Sequence, residues 1–166
     1  MRRRQLLQAL VPALAAPLAG CGFELRKEPE FQFRTLALAG FAPASPLARE
    51  LRRQLERTPL QLLEDPNRAE VVLEARRDWR DKSAVVTTSA GQVREWQLRL
   101  SLDYQIRSAA GEILLPQTEL RLARDMNYTE SAALAKEQEE ATLYRAMQYE
   151  AVGLLLRRLA AVRLPG

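Results

Sequence analysis

Residues 95–107 read Glu95-Trp96-Gln97-Leu98-Arg99-Leu100-Ser101-Leu102-Asp103-Tyr104-Gln105-Ile106-Arg107. Every even position carries a large apolar side chain and every odd position a polar or charged one. In an extended chain successive side chains point to opposite faces, so this stretch is a β-strand with one greasy face and one wet face. That pattern suits an antiparallel sheet covered on a single side.

The flanks extend the sheet. Ser89-Ala90-Gly91-Gln92 reads as a hairpin loop. Upstream of it Ala69, Val71, Leu73, Ala75 and Trp79 alternate with Glu74, Arg76, Asp78 and Arg80. That strand is expected to run past Lys82 to Val85-Val86-Thr87-Thr88, with a bulge that resets the alternation. Downstream, Ser108-Ala109-Ala110-Gly111 turns the chain. A third strand follows, with Leu114, Thr118, Leu120, Leu122 and Met126 on its even face. Pro116 cannot donate to a ladder, which places that end at a sheet edge or in a bulge.

Two helices flank these strands. Ser45-Pro46 is a start signal, with serine as N-cap and proline where its missing N–H costs nothing. Leu47, Leu51 and Leu55 then form a one-sided stripe, and Pro59 stops it. Thr129-Glu130-Ser131 precedes a long final helix, expected from Ala132 to about Arg163. Its stripe is Tyr144, Met147, Ala151, Leu155, Leu159 and Val162. At 1.5 Å per residue that helix would reach about 45 Å, and its charged first turns, Lys136 to Glu140, are expected to project beyond the body. Thr35-Leu36-Ala37-Leu38-Ala39, closed by Gly40, suits a buried strand, and Leu60–Leu63 a short extended piece. The order is β-α-β-β-β-α. With one greasy sheet face and two greasy helical stripes, the expected fold is an α+β two-layer sandwich: about four mostly antiparallel strands with both helices on one face.

The N-terminal end carries a different signal. Arg2, Arg3 and Arg4 precede an apolar run from Leu6 to Leu18, too short for the roughly 20 residues of a membrane-spanning helix. Small residues at its exit make residues 1–20 a secretory signal. The exit, Leu18-Ala19-Gly20-Cys21, resembles the lipobox of bacterial lipoproteins. That resemblance implies cleavage before Cys21, acylation of its sulfur and amino group, and a mature chain held at a membrane by its first residue. Three acyl chains form a lasting anchor where one gives only marginal binding. Gly22, not aspartate, follows, which leans toward the outer membrane. Residues 21–33 then read as a lipidated tether and residues 34–166 as one domain.

Composition narrows the chemistry. The chain has 25 Lys+Arg against 21 Asp+Glu, and loss of Arg2, Arg3 and Arg4 brings the net charge from +4 to +1. The basic balance thus belongs to the signal and does not argue for nucleic acid. There is no histidine, and the single cysteine is Cys21. His-based catalysis, a cysteine nucleophile, disulfides and Cys/His metal sites are therefore excluded. No glycine-rich phosphate loop occurs, and acidic pairs such as Glu139-Glu140 have a solvated helix face as their ordinary explanation. Neither an enzyme nor a cofactor is expected.

Several stretches in order resemble the LptE family of lipopolysaccharide-assembly lipoproteins. They are Cys21-Gly22-Phe23-Glu24-Leu25-Arg26, Ala90-Gly91-Gln92 with Glu95-Trp96-Gln97, Arg124-Asp125, and Leu134-Ala135-Lys136-Glu137-Gln138-Glu139. Leu143-Tyr144-Arg145-Ala146-Met147-Gln148 and Leu155-Leu156-Arg157-Arg158-Leu159 complete the series. The resemblance implies an outer-membrane lipoprotein that plugs the β-barrel LptD, helps it assemble, and contacts lipopolysaccharide. A lysine implicated in that contact is matched by Lys136. A basic residue implicated near the hairpin is not matched, since Thr88 and Ser89 stand there; Arg94, just past the loop, is the candidate substitute. An ordinary exposed cation is the bland reading of either. The alternative function is a free-standing periplasm-facing lipoprotein that binds an amphipathic ligand or serves an ABC exporter, for which an apolar pocket between the layers is expected.

Overall fold

The computed structural model describes residues 30–164. The elements are β1 (Thr35–Ala39), α1 (Pro46–Leu55), β2 (Gln61–Leu63), β3 (Val71–Thr87), β4 (Val93–Ser108), β5 (Ile113–Asn127) and α2 (Ala133–Ala160), with single 3-10 turns at Pro66–Arg68 and Glu130–Ala132. The sheet has five strands in the order β2-β1-β3-β4-β5, one more than expected. The extra strand is the three-residue β2 from the Leu60–Leu63 stretch, whose shortness hides any alternation. β1 pairs in parallel with both β2 and β3, whereas β3, β4 and β5 form an antiparallel meander.

Both helices cover the same face. Leu98, Leu100, Leu102, Tyr104 and Ile106 of β4 are all fully buried and share one core cluster with Leu47, Leu51 and Leu55 of α1 and Met147, Ala151, Leu155 and Leu159 of α2. Ser45 caps α1, its hydroxyl oxygen accepting the Ala48 N–H at 2.9 Å, with Pro46 at the first helical position. Phe33, at the end of the expected tether, is buried in this cluster. On the opposite face only the β1 side is covered, where Ala37, Ala69 and Val72 form a small second cluster.

The bulge in β3 comes earlier than the sequence pattern suggests. Ala75 pairs with Tyr104 and Arg77 with Asp103, so Arg76 is the extra residue. Beyond it the parity of β3 reverses. Asp78, Arg80 and Lys82 now stand opposite Leu102, Leu100 and Leu98, on the helix-covered side. Trp79, expected in the core, pairs with Ser101 on the open face and is 42% exposed. A second extra residue, Val85, follows near the hairpin. Gly40 sits beside the first bulge with φ +74°, and a side chain there would overlap the Ala75 carbonyl oxygen.

The sheet therefore has two halves. Over the first, α2 packs by apolar contact. Over the second, the Tyr144 hydroxyl donates to the Asp81 carbonyl at 2.8 Å, Lys82 pairs with Glu140 at 2.5 Å, and Arg124 of β5 pairs with Glu150 at 2.5 Å. From Glu140 onward α2 is thus pinned to the sheet, while Leu134, Ala135, Glu137, Gln138 and Glu139 before it are exposed. β5 is an edge strand, and its pairing with β4 is irregular on either side of Pro116.

Candidate functional site

The hairpin joining β3 and β4 is closed by short-range bonds. The Thr88 N–H donates to the Gln92 carbonyl at 2.8 Å and the Gly91 N–H to the Thr88 carbonyl at 2.9 Å, with Gly91 at φ +77°. Val86 pairs with Glu95 and Thr87 with Val93, leaving Arg94 as an extra residue on β4. The Arg94 carbonyl instead accepts the Tyr128 N–H at 2.8 Å, and its side chain is exposed. Val93 stands on the opposite parity from Trp96, and that break in alternation is the signal for this bulge. Arg94 shares a small depression with Gln92 and Val93 and with Thr129, Glu130 and Ser131, the residues that lead into α2.

Lys136 lies in the first turn of α2, half-buried, and donates to Glu139 at 2.7 Å. The structure thus brings the hairpin base and the beginning of α2 to one end of the molecule. Arg94 meets the residues before the helix, while Lys136 is engaged by its own helix neighbour. Trp96 and Tyr128, edge to face with centroids 6.2 Å apart, pack at this end as well. Cys21 lies outside the described residues.

The open face of the meander is the other candidate surface. Arg99 of β4 pairs with Asp81 of β3 at 2.9 Å, and Gln97 donates to Asp125 of β5 at 2.9 Å. Glu74 accepts from Gln105 at 3.0 Å and from Arg107 at 3.1 Å; the Gln105 bond, with help from Arg107 and Arg76, holds its carboxyl below the ordinary value. Arg121 pairs with Glu119 at 2.5 Å on the edge strand, and the Arg77 guanidinium lies 4.1 Å from the centre of the Trp79 ring. Cross-strand ion pairs cover this face without a large field of one sign. The odd positions of residues 95–107 announce it, being the complement of the core.

Among the described residues no helix is long and apolar enough to cross a membrane, and no cluster of three or more His, Cys, Asp or Glu side chains could hold a metal ion.

Comparison with known proteins gives a consistent answer. A family model described as LptE, lipopolysaccharide-assembly, matches residues 33–159. The LPS-assembly lipoprotein LptE of Pectobacterium atrosepticum is 30% identical over 163 residues, covering 96% of this chain and 88% of the relative. Its counterpart from Yersinia enterocolitica is 28% identical over 163 residues, covering 96% and 78%. Among solved structures, an uncharacterized lipoprotein B from Nitrosomonas europaea superposes with a TM-score of 0.71 at 28% identity, over 84% of this chain and 91% of that one. The rare lipoprotein B from Shewanella oneidensis shares the fold at a TM-score of 0.65 and 22% identity, over 77% and 95%. The match spans both helices and the whole meander, and on that ground the chain belongs to the LptE family of lipopolysaccharide-assembly lipoproteins, which are not enzymes.

Proposed function

We propose that the chain is an outer-membrane lipoprotein, anchored through acylated Cys21, that plugs the LptD β-barrel, helps it assemble, and touches lipopolysaccharide as it passes to the cell surface. The observation that carries this reading is the open face of the meander, which is mostly polar and charged yet mixed in sign. Large barrels have polar, wet interiors. A face of paired Arg, Glu, Asp and Gln side chains exchanges its partners for barrel groups through charge-assisted hydrogen bonds, with no net field to expel it. Thirteen residues separate Cys21 from Thr35. Such a tether spans at most about 50 Å, so the anchor keeps the domain beside the bilayer that holds the barrel.

Arg94 and Lys136 are the residues assigned to lipopolysaccharide contact, at the end where the hairpin meets α2. The Lys136 ammonium is shared with Glu139, so a lipid phosphate would compete with that carboxylate. The contact should weaken as salt rises, because partly exposed charges are screened within about 10 Å at 0.1 M.

The test is extraction of the native protein in mild detergent. Co-purification with a large outer-membrane barrel is expected, together with loss of mature barrel when the protein is depleted. A monodisperse lipoprotein without a barrel, and a barrel that matures in its absence, would overturn the proposal. For the lipid contact the probe is lipopolysaccharide retention by the purified protein. Retention should fall on Lys136→Glu, and unchanged retention removes Lys136 from the site.

A further inference from the structure

The bulge at Arg76 sends the charged residues of β3 to the wrong side of the sheet by ordinary rules, the side that helices cover. Polar groups under a helical layer depart from the agreement between pattern and burial that simple folds keep, and such departures concentrate at functional sites. Here the layers part into an open cleft of about 790 Å³ between β3, the start of α1 and the first half of α2. Its cations are Arg49, Arg80, Lys82 and Arg145, and its carboxylates Glu137 and Glu140.

The carboxylates do not quench the arginines. Glu140 is taken by Lys82 at 2.5 Å, and Asp78, which faces the same side, accepts the Ser45 hydroxyl. Among the described residues Arg49, Arg80 and Arg145 have no carboxylate partner within ion-pair distance. Arg49 donates to the Ala44 carbonyl at 3.0 Å and Arg145 to the Thr142 hydroxyl at 2.9 Å. Arg80 stacks on the Tyr144 ring, 5.0 Å from its centre, and the hydrogen bond from Tyr144 to Asp81 fixes that ring in place. A guanidinium held by its face keeps its N–H edges available for a bidentate oxyanion.

We infer that this cleft is a binding site for a phosphate monoester, gripped by Arg80 and Arg145 with Arg49 completing the wall. The charge count fits. Four cations against the two lining carboxylates, with Asp78 beside Arg80, leave a net positive wall, and a phosphate monoester carries about −1.5 to −2 at neutral pH. Partial burial lowers the Arg80 pKa from its ordinary value; Tyr144 and Asp78 oppose this, and the neighbouring Arg49 charge adds a smaller push in the same direction as burial. The site differs from the Arg94 and Lys136 end and stands whether or not the chain plugs a barrel. The same chemistry could be carried by a lipid headgroup or by a small free phosphate.

The experiment uses the mature full-length chain in neutral detergent and follows arginine side-chain NMR signals. Inorganic phosphate and glucose 6-phosphate represent the free source. Lipopolysaccharide micelles, before and after enzymatic removal of their phosphates, represent the lipid source. Saturable shifts of the Arg80 and Arg145 signals are expected with phosphate or with phosphorylated lipid. The R80Q/R145Q variant should bind at least roughly tenfold more weakly, as losing a charge-assisted contact predicts. R80K/R145K, which keeps charge but loses the fork, should fall between. A response to phosphorylated lipid alone, or to free phosphate alone, supports the site and names its source. Three results overturn it: no shift with either, equal affinity in R80Q/R145Q, or a tetraglutamate peptide that moves the same signals at lower concentration than phosphate. Both arginines are exposed, so their replacement leaves the fold intact.

Discussion

Replacing Gly40 by alanine is the sharpest test of how the two halves of the sheet are made. Gly40 adopts φ +74°, where an L side chain costs about 1–2 kcal/mol. Its new methyl would also overlap the Ala75 carbonyl oxygen and come within 3.1 Å of the carbonyl carbon, and that backbone belongs to the residue just before the bulge. Forcing extra volume into a packed site typically costs 1–3 kcal/mol, while loss of glycine's freedom in the unfolded chain returns about 0.4–1 kcal/mol. The net expectation is destabilisation by about 3 kcal/mol, a large share of the roughly 5–15 kcal/mol that holds a domain together. Gly91 supplies the control. It also has positive φ, +77°, but nothing stands within 4 Å of its added methyl, so Gly91→Ala should cost about 1 kcal/mol or less. In urea, with a slope of about 2 kcal/mol per molar, the midpoints should fall by about 1.5 M for Gly40→Ala and about 0.5 M or less for Gly91→Ala. Equal midpoints for the two variants would refute the close approach at Ala75.

Other expectations follow from single groups. The Glu70 carboxylate accepts the backbone N–H groups of Arg34 at 2.6 Å and Thr35 at 2.9 Å, and these bonds, the Arg34 one foremost, hold its pKa below the ordinary value. A depressed carboxyl stabilises the fold above its unfolded pKa and stops doing so as pH falls through its folded value. Glu70→Gln, at this exposed site, should therefore cost about 1 kcal/mol at pH 7 and nothing once the acid is protonated, read from urea midpoints across pH. Tyr104 is fully buried, its hydroxyl makes no hydrogen bond of good geometry among the described residues, and burial pushes its pKa up, opposed by the nearby Arg158 guanidinium, the one group in reach of the hydroxyl. Its contribution is present below the ordinary tyrosine pKa and lost as pH rises through the folded value. Tyr104→Phe should be neutral or stabilising by about 1 kcal/mol at pH 7, and a loss of similar size in thermal unfolding would show a hidden partner. The two halves of α2 should respond differently to truncation. Leu155→Ala, in the apolar half, should cost about 3 kcal/mol. Lys82→Ala, which removes the Glu140 pair and the contact 4.8 Å above the Trp96 ring, should cost no more than about 1 kcal/mol.

Much of the architecture was legible where one physical rule acted alone. The unbroken alternation of Trp96 to Ile106 specifies β4 and its buried face because burial and pleat agree at every position. Ser45-Pro46 and the Leu47, Leu51, Leu55 stripe specify α1 for the same reason. β2 and the parallel pairings of β1 were not legible, since short strands carry no period and parallel partners are distant in sequence. In β3 the alternation agrees with burial as far as Ala75 and fails at Trp79, which is exposed. Arg76-Arg77-Asp78 contains nothing that marks which residue steps out of the ladder; the close approach of Gly40 helps decide it, and that is a tertiary fact. The cationic cleft was invisible for the same cause, because without the bulge Arg80 would face water. Lys136 and Arg94 were legible as cations near one end, but the Glu139 partnership of the one and the bulged position of the other came from the structure.

One inserted residue, Arg76, lets a continuous ladder serve oil over half its length and brine over the rest. Were Arg76 drawn into the ladder instead of bulging, every residue from Arg77 to Ala84 would swap sides, burying Trp79 and expelling Arg80, whereas its outright deletion would leave Arg77 opposite Asp103 and the faces unchanged. Outside Arg76 itself, tolerance to insertions and deletions should therefore be lowest in the middle of a strand that looks, on the surface, like an unremarkable run of charges, and far higher in the loop at Ser89 to Gln92.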